Sequence, residues 1–367
     1  MASLVLQVIA VCALLRLSQA HSKGVIIYLA ESRAESVSLL LHSLASLDAH
    51  YNNRWQAPVI IFHPVAASRQ NKGSAGHPLT PEQQKQVREA TTSAITFAEV
   101  DFGSAPLAPP PHAPAMAHNK PLGYRQMCNF FAFHFADHDA LVGYDYVLRF
   151  DGDAVLLEDV PLDLFSAMEV SNWTYAWRSM ACESEDVVKG LEETVARHFG
   201  LTSLCGHLEP ALTSPACTNS LNATRGWSRT MYYNNFEVVR LAWLRSAEYR
   251  KLAAALAAAE GVWMERWGDA PIRTLAVQLL LPRAQVHRFV EVAYYHPSSE
   301  YKLSEHPDPC LECAGSVCSS EHAFSAAQYS LLAACAVSWC CVLARGRCGR
   351  LRARLIDAST AVKKIAA

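Results

Sequence analysis

The chain has 367 residues, a formal net charge of −2, 18% charged residues and 51% hydrophobic ones. That length suits one large α/β domain or two smaller ones. The near-neutral balance argues against a nucleic-acid partner.

In chain order, residues 4–17 are apolar apart from Gln7 and Arg16, and Ser18-Gln19-Ala20 sets small residues where a signal peptidase reads. Residues 1–20 are therefore expected to be a cleaved signal peptide, with an uncleaved anchor or a buried strand as the alternatives. Residues 24–30 (GVIIYLA) read as a buried strand. Val37, Leu40, Leu41, Leu44 and Leu47 have helical spacing, and 57–62 reads as a second strand. Strand, helix, strand opens a doubly wound sheet, which places a site at the carboxyl ends of its strands. No Gly-x-Gly-x-x-Gly follows the first strand, so a dinucleotide fold is disfavoured.

A helix is expected over 81–90 with Pro81 near its start, a strand over 95–100, and an extended connection over 103–121. The aromatic stretch 124–135 (YRQMCNFFAFHF) reads as a helix. Most of its rings belong in the core, while Tyr124 at its start either joins them or lies beside a nucleotide's base or ribose. Further on, 161–168 reads as a helix, 173–178 as a strand, 185–199 as a helix and 200–226 as irregular. Residues 231–238 read as a strand or a strand entering a helix, 245–260 and 270–281 as helices, and 286–289 as a last strand.

Residues 323–343 carry no formal charge and are long enough to cross a bilayer; Arg345, Arg347, Arg350, Arg352 and Arg354 follow. The expected organisation is a signal peptide (1–20), a catalytic body (21–300), a cysteine-containing stalk (301–322), a membrane span (323–343) and a basic cytoplasmic tail (344–367). A buried C-terminal helix is the competing reading of the span. Sequons at Asn172 and Asn222 agree with a lumenal body. Disulfides are expected there, with no pairing legible, and are preferred to zinc for the Cys310, Cys313 and Cys318 cluster.

The chemistry centres on Tyr146–Phe150, an apolar run that ends in Asp151-Gly152-Asp153. A turn there can present two carboxylates to one divalent cation, which would neutralise the phosphates of a nucleotide-sugar. His296 is a third candidate ligand, since imidazole beside carboxylates suits Mn²⁺. Glu237, in Asn234-Asn235-Phe236-Glu237, either faces a sugar ring or is a surface glutamate or an ion-pair partner of Arg240. Trp267-Gly268-Asp269 offers a flat apolar face and an acid to a sugar, although Asp269 could equally be a helix cap.

Read together, YRQMCNFF at Tyr124, YDYVLRFDGDAVLLEDV, YYNNFEVVRLAWLRSAEYRKL, ERWGDAPIRTLAVQLLL and YYHP resemble the fungal-type GDP-mannose-dependent α-1,2-mannosyltransferases, glycosyltransferase family 15. The resemblance covers most of 23–297. It implies an α/β nucleotide-sugar fold of the GT-A type, a mostly parallel central sheet flanked by helices. It also implies retaining transfer of mannose from GDP-mannose to a mannose 2-hydroxyl of a protein- or lipid-linked glycan, in the Golgi or endoplasmic reticulum lumen. Asp151, Asp153 and His296 would hold Mn²⁺, Glu237 and Asp269 would serve catalysis, and Tyr124 and Trp267 would bind the donor. The family's metal turn usually reads Glu-Pro-Asp where this chain has Asp151-Gly152-Asp153. Asn129 and Ala132-Phe133 also depart from the family pattern, which bears on donor or acceptor preference. The alternatives are another donor or linkage, or a non-catalytic glycan-binding protein.

Overall fold

The computed structural model describes residues 23–65, 76–219 and 226–296. The expected signal peptide, stalk, membrane span and tail, and the Asn222 sequon, lie outside them. Among the described residues no helix is long and apolar enough to cross a membrane.

Thirteen strands are described: β1 Gly24–Leu29, β2 Val59–Pro64, β3 Ile95–Val100, β4 Met116–Ala117, β5 Lys120–Pro121, β6 Tyr146–Phe150, β7 Val155–Leu156, β8 Tyr175–Trp177, β9 Met180–Cys182, β10 Thr230–Tyr232, β11 Phe236–Arg240, β12 Val286–Arg288 and β13 Tyr294–Tyr295. Seven of them form the central sheet in the order β12-β8-β11-β6-β1-β2-β3. β1, β2, β3 and β6 pair in parallel, as do β8 and β12. β11 alone runs antiparallel to both neighbours.

The run VIIY of β1 is continuous rather than alternating because helices cover both faces of the sheet. Val25 and Ile27 point into one core with Phe62, Val147 and Val239. Ile26 and Tyr28 point into the other, with Leu40, Leu44 and Leu148. Helix α1 (Ala34–Leu47) buries Val37, Leu40, Leu44 and Leu47, one stripe at helical spacing. Helix α2 (Pro81–Glu89) opens on a capping box between Thr80 and Gln83, with proline in its first turn as expected.

Four segments differ from the sequence reading. The aromatic helix is α-helical only over α3 (Leu122–Asn129) and widens into a π-helical turn at Phe130–His134. Phe130, Phe131 and Phe135 all enter the core, and the wider turn brings them to one side. Residues 231–238 are two strands, β10 and β11, split by a turn at Asn234-Asn235; β10 pairs with β9 while β11 enters the main sheet. Residues 185–199 break at Gly190, whose φ of +78° stops the 3₁₀ turn Glu185–Val188 before the helix Leu191–His198 begins. The connection at 103–121 folds into turns and the β4–β5 hairpin instead of staying extended. Two later helices position the site: α4 (Ala247–Ala258) and α5 (Asp269–Leu280). The irregular 200–226 region is stapled by a disulfide between Cys205 and Cys217.

Candidate active site

β6 alternates strictly, sending Leu148 to one core and Arg149 toward the other. After Phe150 the chain turns, and the Ala154 amide donates to the Asp151 carbonyl at 3.0 Å. β7 follows and pairs antiparallel with β13, Leu156 opposite Tyr294. This short pairing delivers His296 to the Asp151 turn. Its Nε2 lies 3.0 Å from an Asp153 oxygen and 3.8 Å from an Asp151 oxygen. One ligand atom from each of the three residues falls within 4.8 Å of the others. Burial is the largest single influence on Asp153 and raises its pKa, but the hydrogen bond and charge of His296, with a backbone hydrogen bond, together outweigh it and hold the carboxyl below the usual range. At Asp151 burial prevails over Arg149 and His296, and the pKa is raised. Gly152 is not sterically required: a Cβ there would meet nothing nearer than Leu40, at 3.9 Å.

Asp151 and Asp153 stand on the wall of a cleft of about 740 Å³, together with Glu31, Arg33, Lys120 and Tyr124. The cleft opens where β1 and β2 end, as a doubly wound sheet predicts.

Beneath the cleft lies a buried charge network. The Arg149 guanidinium donates to Asp151 Oδ1 at 3.2 Å and to Asp269, and stacks 3.8 Å from the centre of the Phe131 ring. Glu237 sits directly across from Arg149 on β11 and is wholly enclosed. Its carboxylate is 3.3 Å from Arg273 Nε on α5. Arg273 in turn donates to the Tyr249 hydroxyl and, at 2.8 Å, to the Phe131 carbonyl. Asn234 donates to Asp269 at 2.8 Å. Burial pushes the Glu237 pKa up against the pull of Arg273 and Arg149. Burial acts the same way on Asp269, but Arg149 and Asn234 overcome it and leave the pKa lowered.

Glu237 does not pair with Arg240. Residues three apart on a strand point to opposite faces, and Arg240 instead donates to Asn172 Oδ1 at 3.0 Å. Asp269 is the first residue of α5, but it is not the helix cap: Gly268 holds that position without a side-chain bond, and the Asp269 carboxylate is turned into the charge network. Trp267 is a correction: it is 3% exposed, its Nε1 donates to the Lys189 carbonyl at 2.9 Å, and its ring lies against Gly261. The face expected to stack on a sugar is therefore covered by protein. Asn129 and Ala132 are also core residues rather than cleft wall, Asn129 donating to the Pro106 carbonyl at 3.3 Å.

Arg149 and Arg273 escaped the sequence reading. Each carried a signal, because an arginine inside an otherwise apolar strand or helix is rarely buried without a charged partner.

Comparison with known proteins follows the same lines. A family model described as glycolipid 2-alpha-mannosyltransferase matches residues 13–332. The O-glycoside alpha-1,2-mannosyltransferase homolog 5 of Schizosaccharomyces pombe is 25% identical over 319 residues, 76% of this chain and 71% of that protein. The glycolipid 2-alpha-mannosyltransferase 1 of Candida albicans is 34% identical over 175 residues, which span 47% of this chain and 39% of that protein. Among solved structures, core-mannan synthase A from Aspergillus fumigatus in its Mn/GDP form aligns with a TM-score of 0.63 at 24% identity, covering 76% of each chain. The mannosyltransferase Ktr4p of Saccharomyces cerevisiae in complex with GDP aligns at 0.62 and 20%, covering 79% of this chain and 77% of that one. These structures share the fold. With most of its length matched by the family model, the chain belongs to the glycolipid 2-alpha-mannosyltransferase family.

Proposed function

We propose that this protein transfers mannose from GDP-mannose to the 2-hydroxyl of a mannose on a protein- or lipid-linked glycan, with the α configuration retained. The observation that supports it best is the meeting of Asp151, Asp153 and His296, from the middle and far end of the described chain, beside a cleft at the carboxyl ends of the strands. Family membership, and relatives named as mannosyltransferases or solved with Mn and GDP, supply the donor and metal.

The residues fit a hard divalent cation. Two carboxylates and an imidazole are a donor set that Mn²⁺ accepts. The local charge agrees: Arg149 and Arg273 pair with Asp151, Asp269 and Glu237, and Asp153 beside them pairs with His296, a formal excess of two negative charges that one such cation cancels. When bound, the cation stabilises charge on a departing diphosphate. Arg149 holds Asp151 in place from below, and Tyr124 bounds the nucleotide. Glu237 and Asp269 set the potential under the reacting carbon. Enclosed behind two arginines, Glu237 acts through its fixed charge, the preorganised kind of stabilisation that a low-dielectric site strengthens.

The test is a panel of nucleotide-sugars with Mn²⁺ and simple mannosides. Transfer from GDP-mannose to give a 2-linked product is the expected result. Transfer from another sugar nucleotide would replace the donor assignment, and GDP binding without transfer from any donor would favour a glycan-binding protein.

A further inference from the structure

Arg266 stands in the left-handed backbone region, with φ +65°. Glycine occupies that region freely, whereas a side chain enters it against steric resistance. Such strain persists where the surroundings over-determine it, and it gathers at functional sites. Here the surroundings are identifiable. On the C-terminal side, the Trp267 amide donates to the Gly261 carbonyl at 3.1 Å and fixes the chain before α5. The Arg266 side chain reaches Glu183, just past β9, and donates to its carboxylate at 2.9 Å with both groups largely buried. Its other terminal nitrogen lies 3.5 Å from the Tyr124 hydroxyl, and its guanidinium carbon is 5.6 Å from the centre of that ring. Lys120 lies over the same ring at 4.8 Å.

Tyr124 shares the cleft wall with Asp151 and Asp153 and, unlike Phe102 and Phe131 on the same wall, carries a hydroxyl. The Cys128 thiol, burial and Asp269 all raise its pKa, so the phenol stays protonated. An N–H directed at the phenol oxygen leaves the hydroxyl hydrogen available to a ligand oxygen. Arg266, clamped by Glu183, thus acts on the cleft through a second residue.

We propose that Arg266 is a positioning residue for the transfer reaction: its ion pair with Glu183 and its strained backbone aim the ring and hydroxyl of Tyr124 at the nucleotide-sugar. This rests on reading the cleft as the donor site.

The substitution Arg266→Gly suits the backbone and removes the guanidinium. R266G relieves the backbone but leaves the largely buried Glu183 without its cation, so it should melt below wild type, whereas R266G/E183Q, which removes the stranded charge, should melt close to wild type. The R266G crystal structure should show the Tyr124 hydroxyl displaced by about 1 Å or more, and kcat/KM for GDP-mannose should fall about 10- to 100-fold, the range for such a misplacement. Y124F should show a similar loss, and the R266G/Y124F double variant should lose no more than the worse single one. R266K, which restores the charge, should recover part of the activity. An unmoved Tyr124 in R266G, unchanged kinetics, or losses that add in the double variant would overturn the proposal. So would a large fall in melting temperature in R266G/E183Q, which would make Arg266 a folding residue. Failure of wild-type protein to bind GDP with Mn²⁺ would instead remove the donor-site reading, and the crystal comparison would still decide whether Arg266 aims Tyr124.

Discussion

His296 and Asp153 make the closest contact in the candidate metal cluster, at 3.0 Å, while Asp151 is shared with Arg149. The two aspartates should therefore respond differently to neutralisation. D153N removes a carboxylate whose main partner is His296 and should reduce Mn²⁺-dependent transfer by roughly 10²-fold or more. D151N also loosens Arg149 and should lower the melting temperature as well. Manganese titrations and thermal melts on both variants check this; near-normal manganese-dependent turnover in D153N would exclude it as an essential ligand. A second residue-scale expectation concerns pH. His287 stacks on Trp173 with ring centres 3.6 Å apart, and burial lowers its pKa to about 4. The unfolded chain binds that proton near pH 6.5 and the folded chain only near 4, so stability present above pH 6.5 is lost as pH falls through this window. The loss is about 2 kcal/mol at pH 5. Denaturant unfolding should show that contribution in the wild type and a correspondingly shallower slope in H287F.

At the scale of elements, β6, β11 and α5 are joined by the charge network. Glu237 is enclosed between Arg149 and Arg273, so neutralising it leaves buried cations with less compensation. Removing one partner of such a pair typically costs about 3–5 kcal/mol. E237Q keeps the volume and some hydrogen bonding, so it should fall at or below the low end of that range, with turnover falling roughly 10²- to 10⁴-fold. Adding R273M should recover stability without recovering turnover if the fixed negative charge is what catalysis needs. Melts and transfer rates on one preparation of each protein separate the two effects. The same elements show what a single sequence reveals. The Asp151 turn was legible because an apolar strand ended in two acids, and His296 because an imidazole followed two tyrosines. The pairing of Glu237 was not, because it depends on which strand lies beside β6 and in what direction. Trp267 was misread for a related reason: an indole before Gly-Asp has the same letters whether it faces a sugar or Gly261.

For the whole molecule, the continuous apolar runs of β1, β2 and β6 were enough to announce a sheet covered on both faces. The reversed strand was not legible, because β10 and β11 adjoin in sequence and only the turn at Asn234-Asn235 divides them. The Cys205–Cys217 bridge closes a separation of 12 residues, and replacing both cysteines by serine should cost about 3 kcal/mol, measurable by denaturant unfolding under non-reducing conditions. Asn172, exposed in the turn before β8, lies at the end of the sheet away from Asp151. A glycan there would leave the cleft clear, so glycosidase treatment of protein made in a secretory host should increase its gel mobility, and N172Q should remove Asn172's share of that shift.

The pairing of β13 with β7 spans only two residues on each strand, yet it carries His296 to the turn that follows β6. So short a ladder should open often, exposing the backbone near Ala293 to exchange and cleavage. A cation that needs His296 binds only the closed form and adds to its stability, by about 2.7 kcal/mol at a hundred times its dissociation constant. β13 would then behave as a latch that metal fastens. Amide exchange around Tyr294 and Tyr295 should slow on adding Mn²⁺, by up to about a hundredfold at that excess, while exchange in β1 and β2 stays unchanged. Equal protection with and without metal would mean that the latch is closed by its packing alone.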